Sequence, residues 1–447
     1  MRLWHRIEGF FFQPVSARGF GLLRVLWSAT TLSYLLMQFK DVTKFYSDEG
    51  LLPTDLLALI IRVPYRFSLL DWITDPTAVF ALYLLLCLAL FLVLLGLWSR
   101  VSLLVSIVLL FSFHERNPLI LGGGDTVLRL VGFILLLAPN ISALSLARLR
   151  AQWAHWKNKR TLLPEPMQPI WPYRLLLWQF IVLYTTSVWV KLTGTMWVEG
   201  TAVGAALRHP HFSRLIAWNE PFVQLFAKPI TWSTLVFEAA WITMLIPTSL
   251  TKTLFRWQPQ QRLKQLLIVL GIGFHSGIQA TMIVGSFSLA MLSSYAGLLL
   301  GKDFEDLRSL INRRTKSRSQ HGIIILFDGN CGLCLRSVFG LTILDWLHRL
   351  HFVDFWDKDA KHAIAPDLKM EDLDKAMHVL LPNFKIQTSN FKVEKGFDGI
   401  RALAWHLPPL WLVAPFLYLP GIAHLGRRVY GRVAKRRKRC EHENCGL

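Results

Sequence analysis

Charged residues are scarce in this sequence: they make up 17% of its 447 residues, whereas 53% are hydrophobic. That balance excludes an ordinary soluble protein of this size and favours a membrane protein. The sequence also lacks a small-residue cleavage site after its first 18 residues, which carry three arginines. We therefore expect the apolar segment that follows to be an uncleaved first membrane span and not a removed signal peptide.

Acidic residues are few as well: 29 Asp and Glu stand against 49 Lys and Arg, which gives a formal net charge of +20. Such an excess can indicate nucleic-acid binding, but most of the basic residues lie in short loops between apolar segments. Lys and Arg accumulate on the cytoplasmic side of membrane proteins, where they also meet anionic lipid. We therefore expect a lipid bilayer as the partner of this chain, and no nucleic acid.

Eight apolar segments are candidates to cross a hydrocarbon layer, which takes roughly 20 apolar residues. They cover residues 19–38, 77–97, 101–113, 127–146, 171–190, 231–248, 265–283 and 285–300. Backbone groups in lipid must bond internally, so we predict an all-α polytopic bundle of about eight helices in residues 1–300. With the N-terminus inside, the inside loops hold 20 Lys and Arg and the outside loops nine. This asymmetry predicts a multi-pass protein of the bacterial inner membrane with both termini cytoplasmic.

Ionisable side chains inside these spans need partners or a polar cavity, because an isolated charge in lipid is costly. Arg24, Arg129 and Glu238 are such residues, and each could form a structural ion pair or act in function. His275, inside the seventh span, could likewise be functional or a hydrogen-bonded core residue. Cys87 lies alone in an apolar run, and we interpret it as packing.

Two further segments contain candidate site residues. Lys191 lies at the outer end of the fifth span and is followed by Trp197 and Glu199. The lysine could extend to the interface between tryptophans, or it could be a desolvated amine that acts as a base. Asp125 ends the glycine-rich segment 113–125, whose backbone could approach a ligand closely, although a flexible outer loop is the simpler interpretation.

The membrane half resembles the HTTM family over roughly residues 15–300. The likeness lies in the order of the spans, in Arg-Asn-Pro…Gly-Gly-Asp at 116–125, in Lys-Leu…Trp-x-x-Gly at 191–200 and in Phe-His…Phe at 274–287. That family is the bacterial relative of the membrane domain of vitamin K-dependent gamma-carboxylase. The β-rich region that captures the carboxylase's protein substrate has no counterpart here, so we do not expect glutamate carboxylation.

The resemblance implies roles for particular residues. Lys191 matches the lysine that deprotonates the hydroquinone, and His275 is similar to a membrane histidine of the family. Asp125 stands where the carboxylase has histidine. A quinone or hydroquinone is therefore the expected cofactor, with Asp125, Trp197 and Glu199 among the residues near it.

The C-terminal part contains a dithiol motif in a strand–loop–helix setting. The run Ile323–Phe327 is short and β-branched, which predicts a buried strand, and it leads directly into the pair Cys331 and Cys334. Cys331 is expected at a helix N-terminus, where the helix dipole favours the thiolate. Cys334, one turn later on the same face, is placed to resolve a mixed disulfide. We predict an α/β thioredoxin-like domain in residues 321–447, joined by a basic linker at 301–320.

The segment Phe-Asp-Gly-x-Cys-x-x-Cys-x-x-x-Val at 327–338 resembles the DCC family of thiol-disulfide oxidoreductases. This resemblance implies that Cys331 is the attacking thiol and Cys334 the resolving thiol. We group Asp328 with the cofactor-binding residues. The resemblance names no substrate, so a thiol partner protein and a lipid quinone are both candidates for electron exchange.

The last residues leave several alternatives open. Cys440 and Cys445 could be a second redox pair, simple tail thiols, or, with His442 and the first pair, ligands of a zinc site. The apolar stretch 407–425 carries four prolines, so we expect it to pack in the domain or lie at the interface and not to form a ninth span. The basic run 435–439 would assist such an interfacial position.

These features predict an integral membrane thiol-disulfide oxidoreductase that binds or oxidises a quinone-like lipid. One alternative is a membrane anchor or lipid-binding scaffold whose only chemistry is the cytosolic dithiol. A transporter is a further alternative, although the sequence shows no internal repeat and no paired broken helices. No metal is predicted.

Overall fold

The structure is a computed structural model that describes residues 2–60, 66–214, 220–246, 259–316, 322–382 and 391–436. The chain divides into two units. The helical unit comprises Met1–Ala151 and Pro164–Asp303, and the α/β unit comprises Gln152–Leu163 and Phe304–Leu447. The sequence placed the domain boundary at residue 300 and gave no sign that residues 152–163 belong to the C-terminal unit.

Helices α1 to α14 make up most of the described part of the helical unit. Their bounds are α1 (Arg2–Phe12), α2 (Arg18–Gln38), α3 (Val42–Tyr46), α4 (Thr54–Ile60), α5 (Pro76–Leu95), α6 (Ser99–Arg116), α7 (Gly123–Leu137), α8 (Leu146–Lys159), α9 (Trp171–Leu192), α10 (Thr195–Val198), α11 (Ala202–Arg208), α12 (Glu220–Ala240), α13 (Pro259–Thr281) and α14 (Phe287–Ser294). The unit boundary divides α8 after Ala151. A short antiparallel pair, β1 (Pro14–Ser16) and β2 (Met167–Pro169), also belongs to this unit.

Helix α5 shows how local sequence sets the ends of such a helix. The Asp75 carboxylate accepts a hydrogen bond from the Ala78 backbone N–H at 2.8 Å, and Pro76 occupies the first turn. The helix ends at Gly96, whose φ of 69° lies in the left-handed region that glycine adopts without strain. The twenty residues between these signals carry no charge, as a helix surrounded by apolar groups requires.

Each predicted span overlaps a helix, but the count of eight is not confirmed. Among the described residues, three helices are long and apolar enough to cross a membrane: Arg18–Tyr46, Pro76–Leu95 and Trp171–Leu192. The other predicted spans fall on helices that are shorter or more charged. For example, α7 has 15 residues and α14 has 8.

Each of the three charged span residues has a partner. Arg129 pairs with Glu115 at 2.5 Å, and Glu238 pairs with Lys191. The fully buried Arg24 donates to five backbone carbonyls, those of Val93, Leu94, Ile141, Ala143 and Leu144. The first two carbonyls lie in the last turn of α5, where backbone acceptors have no partner within the helix. Arg24 therefore caps a helix end and is not paired with an acidic residue in this network.

The α/β unit is built on a mixed four-stranded sheet. Its strands are β3 (Ile323–Phe327), β4 (Leu350–Asp354), β5 (His378–Pro382) and β6 (Phe391–Lys395), and its helices are α15 (Gly301–Lys316), α16 (Gly332–Leu344), α17 (Lys358–Ile364), α18 (Met370–Leu373), α19 (Gly396–Ala404) and α20 (Ile422–Lys435). The strand order is β4-β3-β5-β6. Strand β3 is parallel to β4 and antiparallel to β5, and β5 is antiparallel to β6. The predicted strand at Ile323–Phe327 is thus confirmed, and it lies inside the sheet. Residues 301–316, which the sequence assigned to a linker, form α15.

Helix α16 packs on one face of β3, and the inserted segment 152–163 covers it. Trp153 and Trp156 stack on each other, and their rings lie 5.0 and 5.7 Å from the ring of Phe339. Trp156 is 4% exposed. This segment therefore contributes buried aromatic surface to the core beside the dithiol helix.

The proline-rich stretch 407–425 forms no continuous helix. It contains two short 3₁₀ turns, Pro408–Leu410 and Ala414–Tyr418, before α20 begins. Proline lacks a backbone N–H and cannot continue a helix, which accounts for the breaks. The stretch therefore lacks the continuous helix that a ninth span would need.

Candidate functional site

The dithiol lies where the central strand passes into a helix. Strand β3 ends at Phe327, and Cys331 forms the N-cap of α16. The Cys331 backbone N–H donates to the Asp328 carbonyl at 3.3 Å, and the Cys331 Sγ accepts from the Cys334 backbone N–H at 3.4 Å. Cys331 and Cys334 are 0% and 9% exposed, and neither forms a disulfide. The structure therefore brings the two predicted thiols together at one helix end.

The surroundings of Cys331 stabilise its thiolate. A hydrogen bond from the Cys334 side chain is the largest cause, and backbone N–H groups of Cys334 and Leu333 add to it. Burial and the negative charge of Asp328 act in the opposite direction, but the net effect lowers the pKa of Cys331 from 9.0 to about 6. A thiol with this pKa is mostly thiolate at neutral pH.

Two carboxylates hold the loop that precedes Cys331. Asp328 Oδ1 accepts hydrogen bonds from the Asn330 backbone N–H at 3.0 Å and from the Trp356 indole N–H at 2.8 Å. Asp354 Oδ1 accepts from the backbone N–H groups of Gly329 at 3.0 Å and Trp356 at 3.1 Å. Asp328, which the sequence grouped with cofactor-binding residues, is placed here as a residue that orders the loop.

Gly329 allows this loop to approach Asp354 closely. A Cβ atom built at Gly329 would lie 1.9 Å from Asp354 Oδ2, a distance at which the carboxylate would have to move. Sequence reasoning identified Gly329 but missed Asp354 and Trp356. The available signal was that Asp354 ends an apolar run, Leu350–Asp354, which forms the parallel neighbour of β3. The carboxyl ends of parallel strands meet at the same edge of a sheet.

The site has a cysteine at a helix N-terminus, where its thiolate is stabilised, and a second thiol one turn later. This arrangement is typical of thiol-disulfide oxidoreductases. Residues 325–442 match the family model of DCC1-like thiol-disulfide oxidoreductases. The C-terminal part of the chain therefore contains a domain of this family. No curated protein and no solved structure matches the chain. The helical unit has no match to the HTTM family, so that resemblance remains a prediction.

Lys191 lies in a polar cluster of the helical unit. Its Nζ pairs with Glu238 Oε1, and the same Nζ lies 4.7 Å from the centre of the Trp197 ring. The side chains of Lys191 and Glu238 are 19% and 5% exposed. The sequence left Lys191 as either an interfacial anchor or a desolvated base, and the structure pairs it with a carboxylate. Burying either charge alone would cost more than burying the pair. Glu199 is exposed and lies at the end of α10.

His275 belongs to a second cluster, in which two tyrosines meet it. The Tyr184 hydroxyl lies 2.9 Å from His275 Nε2 and 2.5 Å from the Tyr295 hydroxyl. Tyr184 precedes Lys191 by two helical turns, so both side chains lie on one face of α9. That spacing was the missed signal for Tyr184. The Trp241 ring stacks on the Tyr184 ring, with 5.3 Å between the ring centroids. Trp241 comes shortly after Glu238, the partner of Lys191, in the sequence.

Asp125 lies at the start of α7, apart from the hydrogen-bonded groups around Lys191 and His275. Its Oδ2 accepts from the Gly122 backbone N–H at 2.8 Å, and its Oδ1 accepts from the Ser286 hydroxyl at 3.2 Å. His114 Nε2 lies 3.9 Å from Asp125 Oδ1. The carboxylate thus caps its own helix, and the structure does not place it among the hydrogen-bond partners of Lys191 or His275. Cys440, His442 and Cys445 lie outside the described residues, so the zinc and second-pair alternatives do too.

Proposed function

We propose that this chain is an integral membrane thiol-disulfide oxidoreductase, with Cys331 as the attacking thiolate and Cys334 as the resolving thiol. The observation that carries the proposal is the Cys331 sulfur at the N-cap of α16, where it accepts the Cys334 N–H at 3.4 Å. The strand order β4-β3-β5-β6, with β3 and β4 parallel, supports the thioredoxin-like fold predicted for the domain. The family match at residues 325–442 supports the same chemistry.

The reaction balances without a metal. The Cys331 thiolate attacks one sulfur of a partner disulfide, forms a mixed disulfide and releases the other partner sulfur as a thiolate, which takes up a proton. Cys334 then loses its proton and attacks the Cys331 sulfur. An intramolecular Cys331–Cys334 disulfide forms, and the second partner thiolate leaves. Two electrons pass from the dithiol to the partner, and the reverse sequence oxidises a partner dithiol.

The test uses the purified full-length protein and insulin as the disulfide substrate, with dithiothreitol as the reductant. Cys331→Ser should abolish catalysed reduction. Cys334→Ser, incubated with insulin after dithiothreitol has been removed, should accumulate a mixed disulfide with the substrate because the resolving thiol is gone. Cys87→Ser is the matched control, since Cys87 lies in α5, far along the chain from the motif. Reduction at the unchanged rate by Cys331→Ser would remove this thiol from the mechanism.

Membrane integration is part of the proposal. Three helices that are long and apolar enough to span a bilayer support it, and the predicted orientation has both termini in the cytoplasm of a bacterial cell. The test is extraction of isolated membranes with alkaline carbonate, followed by protease treatment of sealed vesicles. A protein released by carbonate, or a dithiol domain on the periplasmic side, would contradict the proposal.

We also propose that a quinone-like lipid binds in the helical unit beside His275. The observation that favours this is a set of buried polar atoms without a hydrogen-bond partner among the described residues: His275 Nδ1, Trp241 Nε1 and Glu238 Oε2. Buried polar atoms of this kind usually have a bound water or ligand as their partner. A quinone carries two oxygens that can accept or donate such hydrogen bonds, and when bound it supplies two-electron, two-proton chemistry.

In this arrangement the chain's own residues would hold and move protons. Tyr184 links His275 to Tyr295 by hydrogen bonds, and Lys191 and Glu238 form the adjoining ion pair. The ring of Phe274 lies 5.0 Å and that of Phe287 lies 5.4 Å from the His275 ring, so entry of a ring-shaped ligand requires a side chain to move.

The test combines mass spectrometry of small molecules that co-purify with the protein and a quinol oxidation assay. Lys191→Ala and His275→Gln should slow oxidation, and His209→Gln is the matched control because His209 is an exposed histidine of the same unit. Equal rates in Lys191→Ala would remove that lysine from the mechanism. An intact dithiol reaction with no bound lipid would favour the membrane anchor or scaffold as the role of the helical unit.

A further inference from the structure

Helix α20 presents two different exposed stripes. Leu425, Val429 and Val433, spaced four residues apart, lie along one line of the helix and are 58%, 48% and 44% exposed. Arg428 and Arg432 lie along the adjoining line and are exposed too. An apolar stripe bordered by arginines is the pattern of helices that lie in a lipid interface.

The side of α20 next to the apolar stripe is fixed to the domain. The Tyr430 hydroxyl accepts a hydrogen bond from the Met377 backbone N–H at 3.0 Å. The ring of Phe397 fills the space in which a side chain at Gly426 would lie. These contacts fix the rotation of α20 about its own axis, so its apolar stripe cannot turn toward the core of the domain.

The turn before α20 also exposes large apolar side chains. The 3₁₀ segment Ala414–Tyr418 packs against α20, and Leu412 and Phe416 are 86% and 63% exposed. Soluble surfaces rarely leave neighbouring large apolar side chains in water, and where they do, the patch marks an interaction site. The dithiol reaction makes no use of these residues.

Charge identifies the occupant of this surface. From residue 399 to residue 439 the sequence holds nine Lys and Arg and no Asp or Glu. A second copy of the chain would present the same positive charge, and nucleic acid would leave the apolar stripe without a partner. Anionic lipid provides both a negative surface and an apolar layer beneath it.

We propose that residues 411–436 dock on the surface of an anionic bilayer. The apolar side chains of the turn and of α20 enter the headgroup boundary, and the adjoining arginines meet lipid phosphates. The proposal is independent of the dithiol chemistry, because Arg428, Arg432 and Leu412 take no part in the hydrogen bonds that order Cys331.

The test uses the full-length protein in nanodiscs of phosphatidylcholine, with or without phosphatidylglycerol. The five native cysteines are replaced by serine, and Leu412→Cys is labelled with an environment-sensitive fluorophore. Lys369→Cys, at an exposed polar position of the same unit, is the matched control. Arg428→Glu combined with Arg432→Glu tests the basic stripe without touching the apolar one.

The label at position 412 should shift its emission to the blue and lose quenching by aqueous iodide only when phosphatidylglycerol is present. The label at position 369 should not change. The double Glu variant should remove the shift, and higher ionic strength should weaken it. A label at 412 that stays exposed to water in both lipids overturns the proposal. Equal shielding in both lipids also overturns it, because a protein surface would then be the occupant.

Discussion

The alkylation rate of Cys331 should fall about tenfold between pH 7 and pH 5. A thiol with a pKa of about 6 is about nine-tenths thiolate at pH 7 and about one-tenth thiolate at pH 5. An ordinary cysteine with a pKa near 8.5 is only about 3% thiolate at pH 7. Reactivity is therefore present above about pH 6 and is lost as the pH falls through that value.

Cys334→Ala is the perturbation that tests the cause. The Cys334 side chain supplies the largest effect that lowers the Cys331 pKa, whereas the backbone N–H groups of residues 333 and 334 remain in the variant. The midpoint should therefore rise from about 6 toward about 8.5 without reaching it. At pH 7 this change slows alkylation, and above about pH 9 the two proteins should react alike.

The assay measures alkylation by iodoacetamide in the full-length protein, with the peptide that carries Cys331 quantified by mass spectrometry across the pH range. The peptide that carries Cys87 serves as an internal reference in the same digest. A midpoint near 8.5 in the unmodified protein would refute the claim that the helix end stabilises the thiolate. An unchanged midpoint in Cys334→Ala would refute the assignment of the cause.

Two further predictions concern packing and buried charge. Gly329→Ala should destabilise the dithiol domain by about 1–3 kcal/mol, because the new Cβ meets the Asp354 carboxylate. In contrast, Gly340→Ala, whose Cβ meets nothing within 4 Å inside α16, should be neutral or slightly stabilising in the same thermal-unfolding measurement. Lys191→Met and Glu238→Gln should each cost about 2 kcal/mol, and the double variant should cost less than their sum, because each single change leaves one buried charge unpaired. If the loss of stability in the double variant equals the sum of the losses in the two single variants, the two side chains are not coupled.

The sequence predicted the dithiol region well because its signals are local. A β-branched run, a glycine-containing loop and a helical pattern follow one another within the segment 323–344, and each is read from neighbouring residues. In the sequence the helical pattern continues through Leu347, but α16 ends at Leu344. His348 has a φ of 52° in the turn that follows, a left-handed conformation that a periodicity argument does not detect.

The parts that sequence missed depend on contacts between distant segments. Glu238 was recognised as a residue in need of a partner, but the partner, Lys191, comes from another helix. Trp356 reaches Asp328 only because β4 pairs beside β3. Arg24 was expected to need a partner or a polar cavity, and its partners are backbone carbonyls. The sequence does not show which carbonyls a fold leaves without a partner. The count of eight spans is not confirmed, because several of the predicted apolar runs fall on helices that are short or charged.

The two tryptophans that cover Phe339 change how the dithiol domain should be isolated. A fragment that starts at residue 321 would leave out Trp153 and Trp156 and expose the apolar side of the helix that carries both thiols. Low activity in such a fragment would then report a damaged core and not the loss of a membrane partner. An isolated dithiol domain should therefore include residues 152–163, for example joined through a designed linker, so that both tryptophans again cover Phe339.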